Sequence, residues 1–185
     1  MRLIFATIIL VITGSVFAQN PAVSPRPDTL EKIELLDLDR QQLSIAGFRG
    51  QVVIVNTWGV WCAPCRLLEP TLNRLQQQYR DAGLIVLGLN IGDADSKAER
   101  YRTLRRYRRL RRIRYTLTRT SLDAWAEIEK YTRASVVPQT MVIDREGYVK
   151  GIFRGAGPKI DERMEELIKS MLLGSQPIPK ENLPK

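Results

Sequence analysis

Cys62 and Cys65 stand three residues apart in Trp61-Cys62-Ala63-Pro64-Cys65, and the 185-residue chain holds no other cysteine. If the stretch from Cys62 onward is helical, positions i and i+3 are neighbours, with roughly 5–6 Å between Cβ atoms. A disulfide at that spacing opens and closes with little backbone movement. The first thiol would sit at a helix N-terminus, where unpaired N–H groups and the helix dipole favour the thiolate. Pro64 suits the first turn, because its missing N–H would have no helical partner there. A permanent staple closing so short a loop would stabilise by only about 2 kcal/mol on the chain-entropy model. A zinc site needs four ligands, and the chain has neither a second cysteine pair nor a single histidine. Haem attachment needs a histidine after the second cysteine, where Arg66 stands. The pair reads as a redox-active dithiol, with no metal and no cofactor beyond the Cys62–Cys65 disulfide itself.

The elements that must position this pair are legible around it. Gln51–Thr57 is a short apolar, β-branched run of the kind buried in a central sheet. After the cysteines, Leu67, Leu68, Leu72, Leu75 and Tyr79 recur at helical spacing, and Gly83 ends the helix. Leu84–Ile91 reads as a second buried strand. Strand, helix and strand with short joints predict a βαβ unit, a parallel pair with a right-handed crossover. Further along, Lys32–Asp37 and Gln41–Ser44 predict a hairpin, and Ser121–Tyr131 a helix through Leu122, Trp125 and Ile128. Gln139–Asp144 and Tyr148–Arg154 predict a second hairpin turned at Glu146-Gly147. Ile160–Leu173 is an amphipathic helix with Met164, Leu167, Ile168 and Met171 on one face.

With these elements in order, the chain resembles the thioredoxin superfamily, and more narrowly its exported TlpA/ResA branch of thiol–disulfide oxidoreductases. The residues that carry the resemblance are Val53–Cys65, the lead-in Leu43–Gly50, the proline loop and strand Val137–Asp144, and the turn Arg145-Glu146-Gly147. It spans roughly Leu30 to Leu173. It implies an α/β thioredoxin fold: a central mixed β-sheet flanked by helices, with an N-terminal β-hairpin extension. It also implies a cis Val137–Pro138 bond facing Cys62, with Trp61, Val137 and Pro138 as the substrate-binding residues. The alternative for Pro138 is simply the first position of a strand, which tolerates proline. A cis turn would offer the Val137 backbone to an incoming peptide for short β-type pairing.

Two positions depart from the branch. Many members carry a glutamate three residues after the second cysteine; here that residue is Leu68, and Glu69 follows one step later. One residue turns a side chain about 100° around a helix, so Glu69 does not simply inherit the position. Asn56 stands where thioredoxins proper keep a buried acid. The proton route to the second thiol is therefore open at this stage. Arg66, four residues after Cys62, is a candidate for steadying the thiolate together with Pro64, or else a solvated cation on an exposed turn.

Composition sets the remaining expectations. A chain of this length with 44% apolar residues suits one domain with a proper core. Arg2, the apolar run Leu3–Val11 and Val16-Phe17-Ala18 form a signal-peptide pattern covering residues 1–18. The apolar part is short for a bilayer span of about 20 residues. The expectation is an exported, periplasmic or extracytoplasmic protein, the alternative an N-terminally anchored one facing outward. Residues 19–29 hold Pro21, Pro25 and Pro27 and read as a flexible lead-in, residues 30–173 as the domain, and residues 174–185 as a disordered tail.

Arg100–Arg114 is unusual, with nine arginines in fifteen residues and no acid, in a chain of net charge +9. Tyr101, Leu104, Tyr107, Leu110 and Ile113 punctuate it every third residue, a spacing that drifts about 60° per step, so one stripe cannot serve all five. The segment predicts a helix from Asp95 to Arg109 and a strand around Tyr115–Arg119, with a solvated cationic face. Docking to an acidic partner or an anionic membrane is the second reading, and export argues against nucleic acid.

The expected activity is thiol–disulfide exchange: Cys62 as nucleophile on a substrate disulfide, Cys65 as the resolving thiol. By resemblance the substrates are cysteines of exported proteins, apocytochrome c among them, with electrons from a membrane thiol carrier. The alternatives are a disulfide-donating oxidant or isomerase and a thiolate copper carrier.

Overall fold

A computed structural model describes residues 30, 33–92 and 99–173. The expected signal segment, the lead-in and the tail lie outside the described residues. Strands β1 (Glu34–Asp37) and β2 (Gln42–Ser44) form the N-terminal hairpin. A single-turn 3₁₀ segment, Ile45–Phe48, follows, capped by the Ser44 hydroxyl, which accepts from the Gly47 N–H at 3.2 Å. Then come β3 (Val52–Trp58), α1 (Ala63–Tyr79), β4 (Leu84–Asn90), α2 (Tyr101–Arg111) and β5 (Thr116–Arg119). The chain continues with α3 (Leu122–Thr132), β6 (Gln139–Ile143), β7 (Val149–Arg154) and α4 (Pro158–Leu173).

The seven strands form one mixed sheet in the order β2-β1-β5-β4-β3-β6-β7. β3, β4 and β5 run parallel, as two consecutive helical crossovers require, while β6 returns antiparallel to β3. Both faces are covered, so every residue of β3 is buried. Alternation along β3 sends Val52, Ile54 and Trp58 into the layer beneath α1, α2 and α4, and Val53 and Val55 into the layer beneath α3 and the N-terminal segment. Leu30 is completely buried in the second layer. Among the described residues no helix is long and apolar enough to cross a membrane. The β6–β7 turn needs Gly147 for two reasons. Its φ is +84°, and a Cβ there would meet the Arg49 guanidinium at 1.8 Å.

Several expectations are corrected by one or a few residues. Helix α2 does not begin at Asp95: residues 93–98 lie outside the described part, and Arg100 is extended, with ψ 136°. Helix α2 starts at Tyr101, whose first turn brings Leu104 into the core. The helix also runs past Arg109 to Arg111 before Arg112 turns left-handed, with φ 53°. Leu67 is not on the apolar face of α1; it is 70% exposed, while Leu68, Leu72 and Leu75 are buried. Helix α4 starts two residues early because Pro158 takes a first-turn position after Gly157.

An ion-pair cluster locks α4 onto α1. The Glu165 carboxylate accepts from Arg74 at 2.6 Å and from the Tyr79 hydroxyl at 3.1 Å, and pairs with Lys169 at 3.1 Å. Chiefly the Arg74 hydrogen bond holds the Glu165 carboxyl at about 2, down from its ordinary 4.5. A carboxyl whose folded value is the lower one contributes stability above its unfolded value and loses it as pH falls. Folding stability should therefore decline from about pH 4.5 toward pH 2, and Glu165→Gln should flatten that limb. Urea midpoints across the interval check this; an unaltered acid limb in the variant would assign the decline elsewhere.

Candidate active site

Strand β3 delivers the chain to the site. After Trp58 a turn closes with the Cys62 N–H on the Gly59 carbonyl at 3.1 Å, and α1 begins one residue later. Cys62 is the N-cap: its backbone is extended and its sulfur accepts the Cys65 N–H at 3.2 Å. An amide that would otherwise lack a helical partner thus points at this sulfur, the position where a thiolate gains most from the helix end. Pro64 occupies the first turn without sacrificing a bond. Cys62 and Cys65 are joined as a disulfide with their Cα atoms 5.3 Å apart. The two residues are only 2% and 3% exposed.

Trp61 is the exposed flank of the pair, at 46%. Its indole Nε1 donates to the Gly92 carbonyl at 3.1 Å, bridging the motif to the segment after β4. The ring lies so close to Gly59 that a Cβ there would be 2.6 Å from Nε1. Gly59→Ala should displace the indole and cost about 1–3 kcal/mol, seen as a lower urea midpoint and altered tryptophan fluorescence. An unchanged spectrum and midpoint would mean that the ring is not seated on Gly59.

The Val137–Pro138 peptide bond is cis. Register brings it to the dithiol end of the sheet: Thr57 pairs with Gln139, so Pro138 lies level with Trp58, where β3 hands over to the motif. Val137 is half-buried and Pro138 buried, and the Pro138 carbonyl accepts the Gly155 N–H at 2.9 Å, tying the loop to the end of β7. Val136, at the rim of the loop, is exposed like Trp61.

Two residues before the end of β3, Asn56 donates its amide to Thr140 Oγ1 at 3.0 Å and to the Gln139 carbonyl at 3.5 Å. It joins β3 to β6 as a neutral group, and an amide takes up no proton. Arg66 donates to the Val60 carbonyl at 3.3 Å, so its guanidinium holds the loop leading into the motif.

Glu69 is the residue that the sequence left without an assignment. It is 5% exposed, its carboxylate accepting from the Tyr107 hydroxyl and from Arg111 Nε, the latter at 2.7 Å. Burial, and then the bond to Glu69, raise the Tyr107 hydroxyl well above its usual range, so it stays a donor. The Tyr107 ring stacks on Trp58 with centroids 5.0 Å apart. Pro70 explains the remaining contact. A proline inside a helix removes the bond to the carbonyl four residues back, here that of Arg66, and Arg111 Nη2 reaches this carbonyl at 3.5 Å. One arginine of the run therefore neutralises the buried acid and serves the broken turn of α1. The Arg100–Arg114 segment is thus not a uniformly solvated face, since Arg105 is also fixed, on the Leu38 carbonyl and at 3.6 Å from Asp39. The signal in the sequence was Glu69-Pro70, an acid and a helix-breaking residue side by side in an apolar helix.

Comparison with known proteins agrees with this geometry. The AhpC/TSA family profile matches residues 27–152. Thiol-disulfide oxidoreductase ResA of Geobacillus kaustophilus is 30% identical over 174 residues, covering 91% of this chain and 92% of the relative. ResA of Bacillus subtilis is 25% identical over 144 residues, covering 78% and 75%. The crystal structure of a thiol:disulfide interchange protein of the thioredoxin family from Chlorobium tepidum matches with a TM-score of 0.62 at 23% identity, over 75% of this chain and 92% of that one. The solution structure of a thiol:disulfide interchange protein from Bacteroides sp. gives 0.64 at 17% identity, over 81% and 91%.

Proposed function

Because the chain belongs to the AhpC/TSA family of the thioredoxin superfamily and is a thiol–disulfide oxidoreductase, we propose that it works as an extracytoplasmic reductant of protein disulfides, with the two-cysteine motif of apocytochrome c as its preferred substrate class. The observation that carries the exchange chemistry is the Cys65 amide aimed at the Cys62 sulfur at the head of α1, while the reducing direction is supported by the likeness to the ResA relatives. The amide favours charge on the first sulfur, and the thiolate is the attacking species.

In the reduced enzyme, Cys62 Sγ⁻ attacks one sulfur of the substrate disulfide. The substrate S–S bond breaks, a Cys62–substrate disulfide forms, and the second substrate sulfur leaves as a thiolate that takes a proton. Cys65 then gives up its proton and attacks Cys62 Sγ, releasing the first substrate sulfur and closing the Cys62–Cys65 bond. Two electrons have passed to the substrate, and a thiol carrier on the membrane returns them. Trp61, Val137 and Pro138 would receive the substrate backbone, an extended peptide pairing beside the sulfur. Arg66 would act through the Val60 loop that it holds, not on the sulfur directly. Export is supported by the charge, apolar run and small residues of the first eighteen positions.

The test uses the reduced protein and an oxidised Cys-X-X-Cys-His peptide, with thiols quenched by alkylation and counted by mass. The expected result is one peptide reduced per enzyme oxidised, faster than insulin under the same conditions. Insulin reduction without a preference for the peptide would remove the substrate class while leaving the reductase. No transfer to either would remove the reductant.

A further inference from the structure

Packing within the fold accounts for only part of the arginine run. Among the described residues, Arg111 is held on Glu69 and Arg105 on the Leu38 carbonyl and Asp39. Arg108, Arg109, Arg112 and Arg114 have no carboxylate partner among the described residues. They converge instead on the walls of an open groove of about 460 Å³ at the C-terminal end of α2, with the buried Leu38 and Ile113 beneath them. Asp39, at one side, is the acid in its lining.

These side chains are not there to finish the helix. The end of α2 is closed by backbone: the Arg112 N–H and the Ile113 N–H both donate to the Arg108 carbonyl, and Arg112 also reaches that of Arg109. Arg112 itself sits at φ 53°, the left-handed position where glycine carries no steric cost. An arginine there accepts backbone strain and adds a guanidinium to a site already crowded with like charge. Such a cluster is stabilised by whatever anion enters it.

We infer that this groove binds an acidic segment of a partner polypeptide. Guanidinium forks match carboxylates in pairs, and the concave, apolar-floored shape receives an extended chain of alternating acid and small residues. A second copy of a chain with net charge +9 would bring the wrong sign. The chain's own last twelve residues, with two lysines and one glutamate, would do the same. The groove opens at the C-terminal end of α2 beside Leu38 and Asp39, and neither Cys62 nor Cys65 is among its lining residues. A segment bound here would tether a partner while leaving Cys62 uncovered, so the inference does not depend on the substrate proposed above.

The test is fluorescence anisotropy with a labelled decapeptide of alternating Glu and Gly. One variant combines Arg108→Gln, Arg109→Gln and Arg112→Gly; a control combines Arg100→Gln, Arg102→Gln and Arg106→Gln, removing equal charge outside the groove. The groove variant should bind about tenfold more weakly, with a flatter salt dependence, from the sum of exposed pairs. The control should bind nearly as the parent does, and all three proteins should reduce a small aromatic disulfide equally. Equal weakening in both variants would reduce the effect to net charge and overturn the site. So would unchanged binding in the groove variant, or no peptide binding to the parent while vesicles of phosphatidylglycerol and phosphatidylcholine bind the parent and not the groove variant.

Discussion

Cys62→Ser is expected to reduce insulin at the uncatalysed background rate, whereas Cys65→Ser should accumulate covalent adducts with its substrates. The asymmetry follows from the positions of the two sulfurs. Cys62 is the N-cap and accepts the Cys65 amide, so removing it removes the nucleophile. Cys65 is inside the first turn, its amide on the Cys62 sulfur, and on the proposed mechanism it resolves the mixed disulfide. Serine at position 65 leaves that intermediate with no internal exit. Non-reducing electrophoresis followed by peptide mapping reads the result directly, with the adduct on Cys62. Activity in Cys62→Ser, together with no trapping in Cys65→Ser, would reverse the assignments.

Arg111→Ala should destabilise the protein by about 2–3 kcal/mol, while Arg109→Ala, in the same turn of helix, should stay within about 0.5 kcal/mol. Arg111 neutralises a carboxylate that is 5% exposed and also reaches the carbonyl orphaned by Pro70. Its loss leaves Glu69 buried with the Tyr107 hydroxyl as its remaining hydrogen-bond partner among the described residues. The estimate falls below that for a fully buried pair because the Arg111 side chain is itself 41% exposed. Glu69→Gln should recover part of the loss in the Arg111→Ala background, since an amide costs less to bury than an unpaired charge. Equilibrium urea unfolding of the four proteins measures it. Equal effects at positions 109 and 111 would show that the arginines act only through their summed charge.

The contrast between these two arginines shows where the sequence was readable. The βαβ unit, the two hairpins and the final helix were legible because each buries a periodic apolar face, Val52–Trp58 and Leu84–Asn90 most plainly. The dithiol was legible because its chemistry depends on local spacing within one turn of helix. Glu69, Tyr107 and Arg111 were not, since the partners lie 38 and 42 residues apart and nothing local marks them as neighbours. Element ends failed for a related reason. Leu67 and Leu68 are equally apolar, and only the placement of α1 against the sheet decides that Leu68 is buried. The start of α2 likewise depended on where burial begins, at Tyr101 and Leu104, and not on the charge around it.

The equilibrium reduction potential of the Cys62–Cys65 couple tests the central claim most directly. Titration in dithiothreitol buffers, followed by alkylation and mass analysis of both cysteines, gives it without knowledge of the substrate. A protein-disulfide reductant should titrate as one two-electron couple near thioredoxin's value, about −270 mV. A potential near that of DsbA, about −120 mV, would make the protein a disulfide donor and contradict the proposed direction of electron flow.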